Sequence, residues 1–290
     1  METMAAPRLL PTVRLRRLAG ELRRLREASG LTREVVCERT GINEATLYRL
    51  ETGRARPQRR TLLALLAVYE VTDAERETLL DLIKGDQSSS WIQPRYTSLP
   101  EHLSAYMAFE AEAASVRNYE AAFIPGLLQI EAYARAVVRG GRPEGTDDEV
   151  EQRVSARLER QALLTKPNPL RLWAIIDEAV LHRVVGSPST IREQLRHLVT
   201  TSNLPHVTLQ LIPFTAGAHP GMPGSFVVMS FPDPADPEIV YLDSMAGDLF
   251  VETDDDITRF GGVFDHLRAT ALSPQDSRKF IERMEREAEQ

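Results

Sequence analysis

The chain has 290 residues, 42% hydrophobic and 27% charged, enough apolar material for one or two packed cores and too little polar bias for wholesale disorder. No apolar run approaches the ~18 residues that a membrane span needs. Pro7 and Pro11 interrupt the only apolar patch near the N-terminus, and the single cysteine, Cys37, excludes an internal disulfide framework and a cysteine-based zinc cluster. A soluble cytoplasmic protein is the expectation.

The formal net charge of −7 conceals an asymmetry. Residues 1–70 hold 14 arginines against 8 acids, for +6, whereas the rest holds 21 basic and 34 acidic residues, for −13. A basic head on an acidic body is the pattern expected when only the head touches phosphate.

Five short helices are expected between residues 14 and 84. Leu15, Leu18, Leu22 and Leu25 form one stripe of the first, over Arg14–Ala28, and Gly30 ends it. Thr32 caps the second, over Arg33–Arg39. Gly41 breaks the chain, Asn43 caps a third helix with Leu47 and Leu50 facing inward, and Gly53 stops it. A fourth helix carries Leu62, Leu65, Leu66 and Tyr69. Thr72 and Glu75 form the capping box of a fifth, which ends at Gly85.

Gly85–Ser90 (GDQSSS) marks a domain boundary. Beyond it, Ser98 and Glu101 open a helix carrying Leu103, Tyr106, Met107, Glu110 and Ala114. Pro125–Gly126 precedes a helix over Leu127–Arg139, and Thr146/Glu149 cap another with Val150, Val154 and Leu158 on one face. The pattern then turns to strands at Leu170–Ile176, Val207–Ile212, Ser225–Phe231, Ile239–Leu242 and Leu249–Glu252. A helix from Ser187–Pro188 joins the first two strands, which fits a parallel crossover, while the later strands are close enough for hairpins. Helices over Asp254–Ala271 and Pro274–Glu289 close the chain. The expected fold class is therefore α+β. A flexible arm (1–13) leads into an all-α, five-helix domain (14–84), and a linker (85–97) joins this to a larger α+β domain with a mixed sheet (98–290).

Leu31–Pro57 reads LTREVVCERTGINEATLYRLETGRARP. Two short helices meet at a turn containing Gly41, and a small residue, Cys37, stands where they cross. The third helix leaves Asn43, Glu44, Ala45, Tyr48, Arg49 and Thr52 exposed, and a helix of this kind fits a major groove about 12 Å wide. The spacing of Leu31-Thr32-x-Glu34, Cys37, Gly41-Ile42, Leu47-x-x-Leu50-Glu51-x-Gly53 and Arg56-Pro57 resembles the lambda-repressor-like (XRE) helix-turn-helix family. The resemblance implies that Asn43, Glu44, Ala45 and Arg49 face bases, with Arg49 suited to a guanine, and that Thr46, Arg54 and Arg56 approach phosphates. Arg33 stands where the family usually has a phosphate-positioning glutamine. Glu44 departs from a cationic surface, although it suits a helix N-terminus and can accept from a cytosine amino group. Arg26 and Glu51 match a buried ion pair of that family. The Arg8–Arg17 segment reads either as an arm that tracks a groove or as a solvated arginine cluster.

The C-terminal region carries none of the metal-ligand, nucleophile-elbow or phosphate-loop spacings, so no catalytic residue, metal or cofactor is assigned. Ala216–Ser225 (AGAHPGMPGS) is a long, rigid hairpin connection between strands, or else a cover for a ligand or partner with His219, Met222 and Phe226 as contacts. Converging His219, Asp243 or Glu252 side chains would favour an enzyme. The acids of Glu252–Asp256 (ETDDD) favour the start of a helix more readily than a cation. Nearly the full length is similar to the actinobacterial WhiJ-like regulators, on stretches that include Tyr119–Tyr133, Leu163–Ile176 with Pro169 and Trp173, Leu211–Phe214, Gly217–Phe226 and Ala271–Ser273. That likeness implies an antitoxin-like arrangement with a small, separately encoded partner protein. The sequence thus points to a nucleoid-associated, homodimeric transcriptional regulator on an inverted repeat of double-stranded DNA. A protein-interaction adaptor with a degenerate helix-turn-helix and a small-molecule-sensing repressor remain alternatives.

Overall fold

The computed structural model describes residues 12–83, 99–244 and 247–288. They divide into two compact units. The first contains the described residues 12–83 together with Ser104–Glu112 and Asp233–Pro237, and the second contains the rest. The expected boundary at Gly85–Ser90, the fifth helix's end at Gly85 and the capping residue Ser98 lie outside the described residues.

The five expected helices of the first unit are α1 (Val13–Ala28), α2 (Arg33–Thr40), α3 (Glu44–Glu51), α4 (Arg59–Val68) and α5 (Asp73–Leu82). Leu18, Leu22, Val36, Leu47, Leu62, Leu65 and Leu66 meet in one core. Each fully buried leucine there contributes about 1.5–3 kcal/mol. Local signals set the ends. The Thr32 hydroxyl accepts from Val35 N–H, Asn43 Oδ1 accepts from Thr46 N–H, and both halves of the Thr72/Glu75 capping box form. Gly41 closes α2 at φ +71°, a left-handed conformation that glycine adopts without a Cβ penalty.

Helix α1 begins at Val13, so Arg14, Arg16 and Arg17 of the expected Arg8–Arg17 arm are helical, and residues 1–11 are outside the described range. Within the same unit, Val13 N–H donates to Glu112 Oε2 at 3.1 Å. The Arg16 guanidinium lies 4.8 Å from the Phe109 ring centroid, where burial pulls its pKa down to about 9. Arg17 Nη1 donates to Asp233 at 2.6 Å and Asp236 at 3.2 Å.

Helix α6 (Glu101–Glu112) is followed by β1 (Ser115–Glu120), α7 (Glu131–Gly141), α8 (Asp147–Arg160), β2 (Arg171–Asp177), the single turn α9 (Ala179–His182), α10 (Pro188–Thr201) and β3 (Val207–Ile212). Then come β4 (Phe226–Ser230), β5 (Ile239–Leu242), β6 (Leu249–Val251), α11 (Asp254–Thr270) and α12 (Pro274–Glu287). The strands form one mixed sheet in the order β3-β2-β1-β4-β5-β6. β1, β2 and β3 are parallel, and β4, β5 and β6 continue it antiparallel. The expected parallel pair on either side of α10 and the later hairpins are present.

Two expectations fail here. The α6 helix stops at Glu112, and Ala114 N–H already donates to Ser230 O, so the chain enters β1 where sequence reading assigns no strand. The signal is weak because SVRNYE puts Asn118 and Glu120 on one face of an interior strand. Leu127–Arg139 is not one helix either. A 3-10 turn at Gly126–Leu128 precedes α7, and the Gln129 side chain, fully buried, donates to Ile124 O at 2.6 Å across the break.

Tyr119, Ile175, Phe226, Val228 and Val240 of the sheet pack with Phe264 and Leu267 of α11 in one core. Strand alternation therefore turns Asn118, Glu120 and Tyr241 to the opposite face. Gly221 sits against the α11 side. A Cβ there would stand 2.6 Å from Tyr119 Cε1 and 3.0 Å from Leu267 Cδ2. Both side chains are fully buried, so neither has room to withdraw. Gly221→Ala is expected to destabilise the second unit by about 1–3 kcal/mol, the cost of overpacking a filled core. Faster amide exchange in β1 with exchange in α2–α5 unchanged would show it, and unchanged exchange in β1 would refute it.

Candidate nucleic-acid interface

The surface of α3 follows from its two anchors. Leu47 and Leu50 are buried and Ile42 packs beside them. A helix of this pitch then leaves Asn43, Glu44, Ala45, Tyr48, Arg49 and Thr52 exposed and Thr46 half-buried. Arg49 lies back along its own helix, Nε donating to Ala45 O and Nη2 to Thr46 Oγ1, both at 3.3 Å. Asn43 is exposed and uses its carbonyl oxygen as a cap at 2.7 Å, a bond in which its amide donors take no part. Glu44 occupies the first turn, where the helix dipole favours an acid. Arg54 and Arg56 are exposed on the segment after Gly53.

Beneath this face lies a charge cluster. Glu51 is buried, with its side chain 0% exposed. Arg26 Nε reaches one of its oxygens at 2.6 Å, and Arg33 Nε reaches the other at 2.8 Å. Its hydrogen bond with Glu51 is the main influence holding the Arg26 pKa above its ordinary value. Arg33 is thus anchored through Nε while about a third of its side chain remains exposed. Sequence reasoning assigned Arg33 to phosphate and paired only Arg26 with Glu51, whereas the structure brings all three together.

Tyr48 is a contact that the sequence reading left out of the site. It is 42% exposed, and its ring lies 5.5 Å from the Arg33 guanidinium and 5.9 Å from that of Arg54. An aromatic ring between two cations limits their rotamers and orients both guanidiniums. Cys37 packs against the core of the unit. Burial, then the nearby Glu44, Glu51 and Glu34, push its thiol pKa up, which opposes nucleophilic use.

The C-terminal candidates separate. Met222 is 66% exposed, whereas Phe226 is buried in the core beside Phe260 and Phe264. The His219 side chain is only 5% exposed and its ring is committed on both sides. Nε2 lies 3.3 Å from Asp177 Oδ2, and Nδ1 accepts from Gly221 N–H at 3.3 Å. This histidine therefore pins the Ala216–Ser225 loop to the end of β2. His219 is joined to Asp177 on the α11 side of the sheet, so it does not converge with Asp243, which lies on the other side in strand alternation. The acids of Glu252–Asp256 flank Thr253, which caps α11 by accepting from Asp256 N–H at 3.2 Å. Among the described residues no three His, Cys, Asp or Glu side chains are placed to hold a metal ion, and no helix is long and apolar enough to cross a membrane.

Two family models match the chain. One, described as a helix-turn-helix domain, matches residues 17–79. The other, described as a domain of unknown function (DUF5753), matches residues 103–283, more than half of the chain. Neither the curated proteins nor the solved structures give a match.

Proposed function

The chain belongs to the DUF5753 family and carries an N-terminal helix-turn-helix domain, and we propose that it is a sequence-specific DNA-binding transcriptional regulator without enzymatic activity. One observation carries the reading. The exposed face of α3, with Asn43, Glu44, Ala45 and Arg49, is bordered by Arg33, Arg54 and Arg56, with Arg33 and Arg54 oriented by Tyr48. In this reading α3 lies in a major groove, Arg49 swings from its own helix to a base edge, and the bordering arginines and Thr46 meet phosphates. The protein acts in the cytoplasm, at the nucleoid, as a homodimer on an inverted repeat whose half-sites lie about 34 Å apart. The DUF5753 domain binds a small partner protein or an effector, the partner resting on the likeness to WhiJ-like regulators.

Genome-wide immunoprecipitation and sequencing of the full chain beside its Arg49→Ala variant tests this. Discrete peaks over an inverted repeat are expected for the natural chain. The variant is expected to lose about 1–3 kcal/mol at the contacted base and to bind that position without preference. A flat profile for the natural chain overturns specific binding by the protein alone. The adaptor reading then takes precedence, with Glu44 as the acid that repels the backbone.

A further inference from the structure

Arg17 belongs by sequence to the basic head, yet its guanidinium is held by carboxylates. Within the first unit, its Nη1 donates to Asp233 Oδ2 at 2.6 Å and to Asp236 Oδ1 at 3.2 Å. Both acids stand on the connection between β4 and β5, residues 231–238 (FPDPADPE). The turn of α1 that carries Arg17 borders the segment proposed to meet phosphates. A Cβ at Gly53 would lie 3.8 Å from both Arg16 Cγ and Ala19 Cβ, and Arg54 follows Gly53 directly. Two carboxylates on one guanidinium nitrogen occupy donors of the kind that a phosphate takes.

The connection has bonds of its own that do not involve Arg17. Asp233 Oδ1 accepts from Ala235 N–H at 2.9 Å, and Asp236 N–H donates to Asp233 O at 2.9 Å. Pro232, Pro234 and Pro237 restrict the backbone further. At its far end, Glu238 is tied into the sheet of the second unit. It accepts from Arg117 of β1 at 2.6 Å and from the Ser230 hydroxyl of β4. The connection is therefore a preformed pair of acids attached to the sheet. The Arg17 contact is also easy to exchange. The Asp233 side chain is 53% exposed, and ion pairs with an exposed member contribute little to stability.

We propose that the β4–β5 connection is an autoinhibitory latch, in which Asp233 and Asp236 occupy Arg17 in place of nucleic-acid phosphates. Closed, the latch withholds one cation per head from DNA. Open, it lets Arg17 join Arg54 and Arg56 on the backbone. The two states compete for the same guanidinium, so anything that displaces β4 or β5 and opens the latch strengthens DNA binding. By linkage, DNA favours the open latch to the same extent. This assigns a regulation to the DNA face and rests on the reading of α3 given above.

The test uses the full chain and the double variant Asp233→Asn/Asp236→Asn. Asparagine keeps the turn, because its Oδ1 still accepts from Ala235 N–H. Modification by phenylglyoxal, read by peptide mass spectrometry without DNA, should reach Arg17 faster in the double variant than in the natural chain. Duplex affinity across a salt series and elution from heparin, a polyanion without bases, read the open state. The double variant should steepen the slope of log affinity against log salt by about 0.9 per head and should elute later from heparin. Adding Arg17→Gln to it should abolish both gains. If the double variant fails to fold, Asp233→Asn alone must give a smaller gain of the same sign. The proposal is overturned if Arg17 reacts equally in both chains, or if the gains persist without Arg17, since the acids would then only repel polyanions through space. Arg17-dependent retention on heparin without duplex binding at any salt keeps the latch and removes the DNA reading. Specific duplex binding with an unchanged slope does the reverse.

Discussion

Replacing Glu51 with alanine should loosen the whole first unit by about 3 kcal/mol, the lower end of the range for removing one partner from a buried ion pair. The carboxylate is fully buried and bridges Arg26 and Arg33, so its loss leaves two guanidiniums without their buried counter-ion between α1, α2 and α3. Arg33 is about a third exposed and can turn to water, which discounts its share. Arg26 is only 11% exposed and keeps two weaker contacts, to Leu31 O at 3.3 Å and to the exposed Glu27 Oε1 at 3.4 Å. The nearby Tyr69 hydroxyl is buried, and burial pushes its pKa up, so it stays neutral and offers no replacement anion. Because the chain has two units, a single unfolding midpoint would mix them. Amide exchange resolved by peptide is the better measurement. Exchange in α1 and α3 should accelerate on the order of a hundredfold, with the second unit unaffected. Glu51→Gln, which keeps an acceptor for one arginine and turns an amide donor toward the other, should fall between the two. Equal exchange in the natural chain and the alanine variant would show that the cluster contributes nothing to stability.

The first unit was legible because each of its signals is local. Thr32, Asn43 and Thr72 cap their helices through side chains within three residues, and Gly41 marks a turn through its own backbone freedom. The second unit was legible wherever a strand was apolar. Val207–Ile212 and Ile239–Leu242 appear with the bounds the sequence predicts. β1 was hidden because its polar residues take their meaning from distant partners. Asn118 donates to Phe226 O, across 108 residues, and Glu120 answers to Ser225, Asp243 and Arg157. No spacing rule links those positions. For the same reason the Gly/Pro loop joins β3 to β4 but not as the expected hairpin, because β2 and β1 lie between those strands, and two of its expected contacts are not at the surface. Its histidine turns inward to Asp177, and Phe226 joins the core. At the proposed DNA face, residue types were legible, but their connections were not. Neither the sharing of Glu51 by Arg33 nor the placement of Tyr48 between two arginines follows from sequence alone.

The double variant Arg54→Ala/Arg56→Ala should weaken DNA binding uniformly across sequences, in contrast to the position-specific loss expected for Arg49→Ala. Arg54 and Arg56 are exposed at the edge of the α3 face, so their removal leaves the core intact. Each phosphate contact contributes about 0.9 to the slope of log affinity against log salt on duplex DNA. Two contacts from one head therefore predict a slope smaller by about 2, and the same two contacts in both heads of a homodimer predict about 4. Affinity measured by fluorescence anisotropy across a salt series separates these outcomes on one DNA duplex containing the inverted repeat. A change near 4 supports two engaged heads, and one near 2 supports a single head at each site. An unchanged slope would remove both arginines from the interface. In that event the positive charge of residues 1–70 would have to act through its other arginines, with Arg33 as the first to examine because Glu51 holds it in place at 2.8 Å.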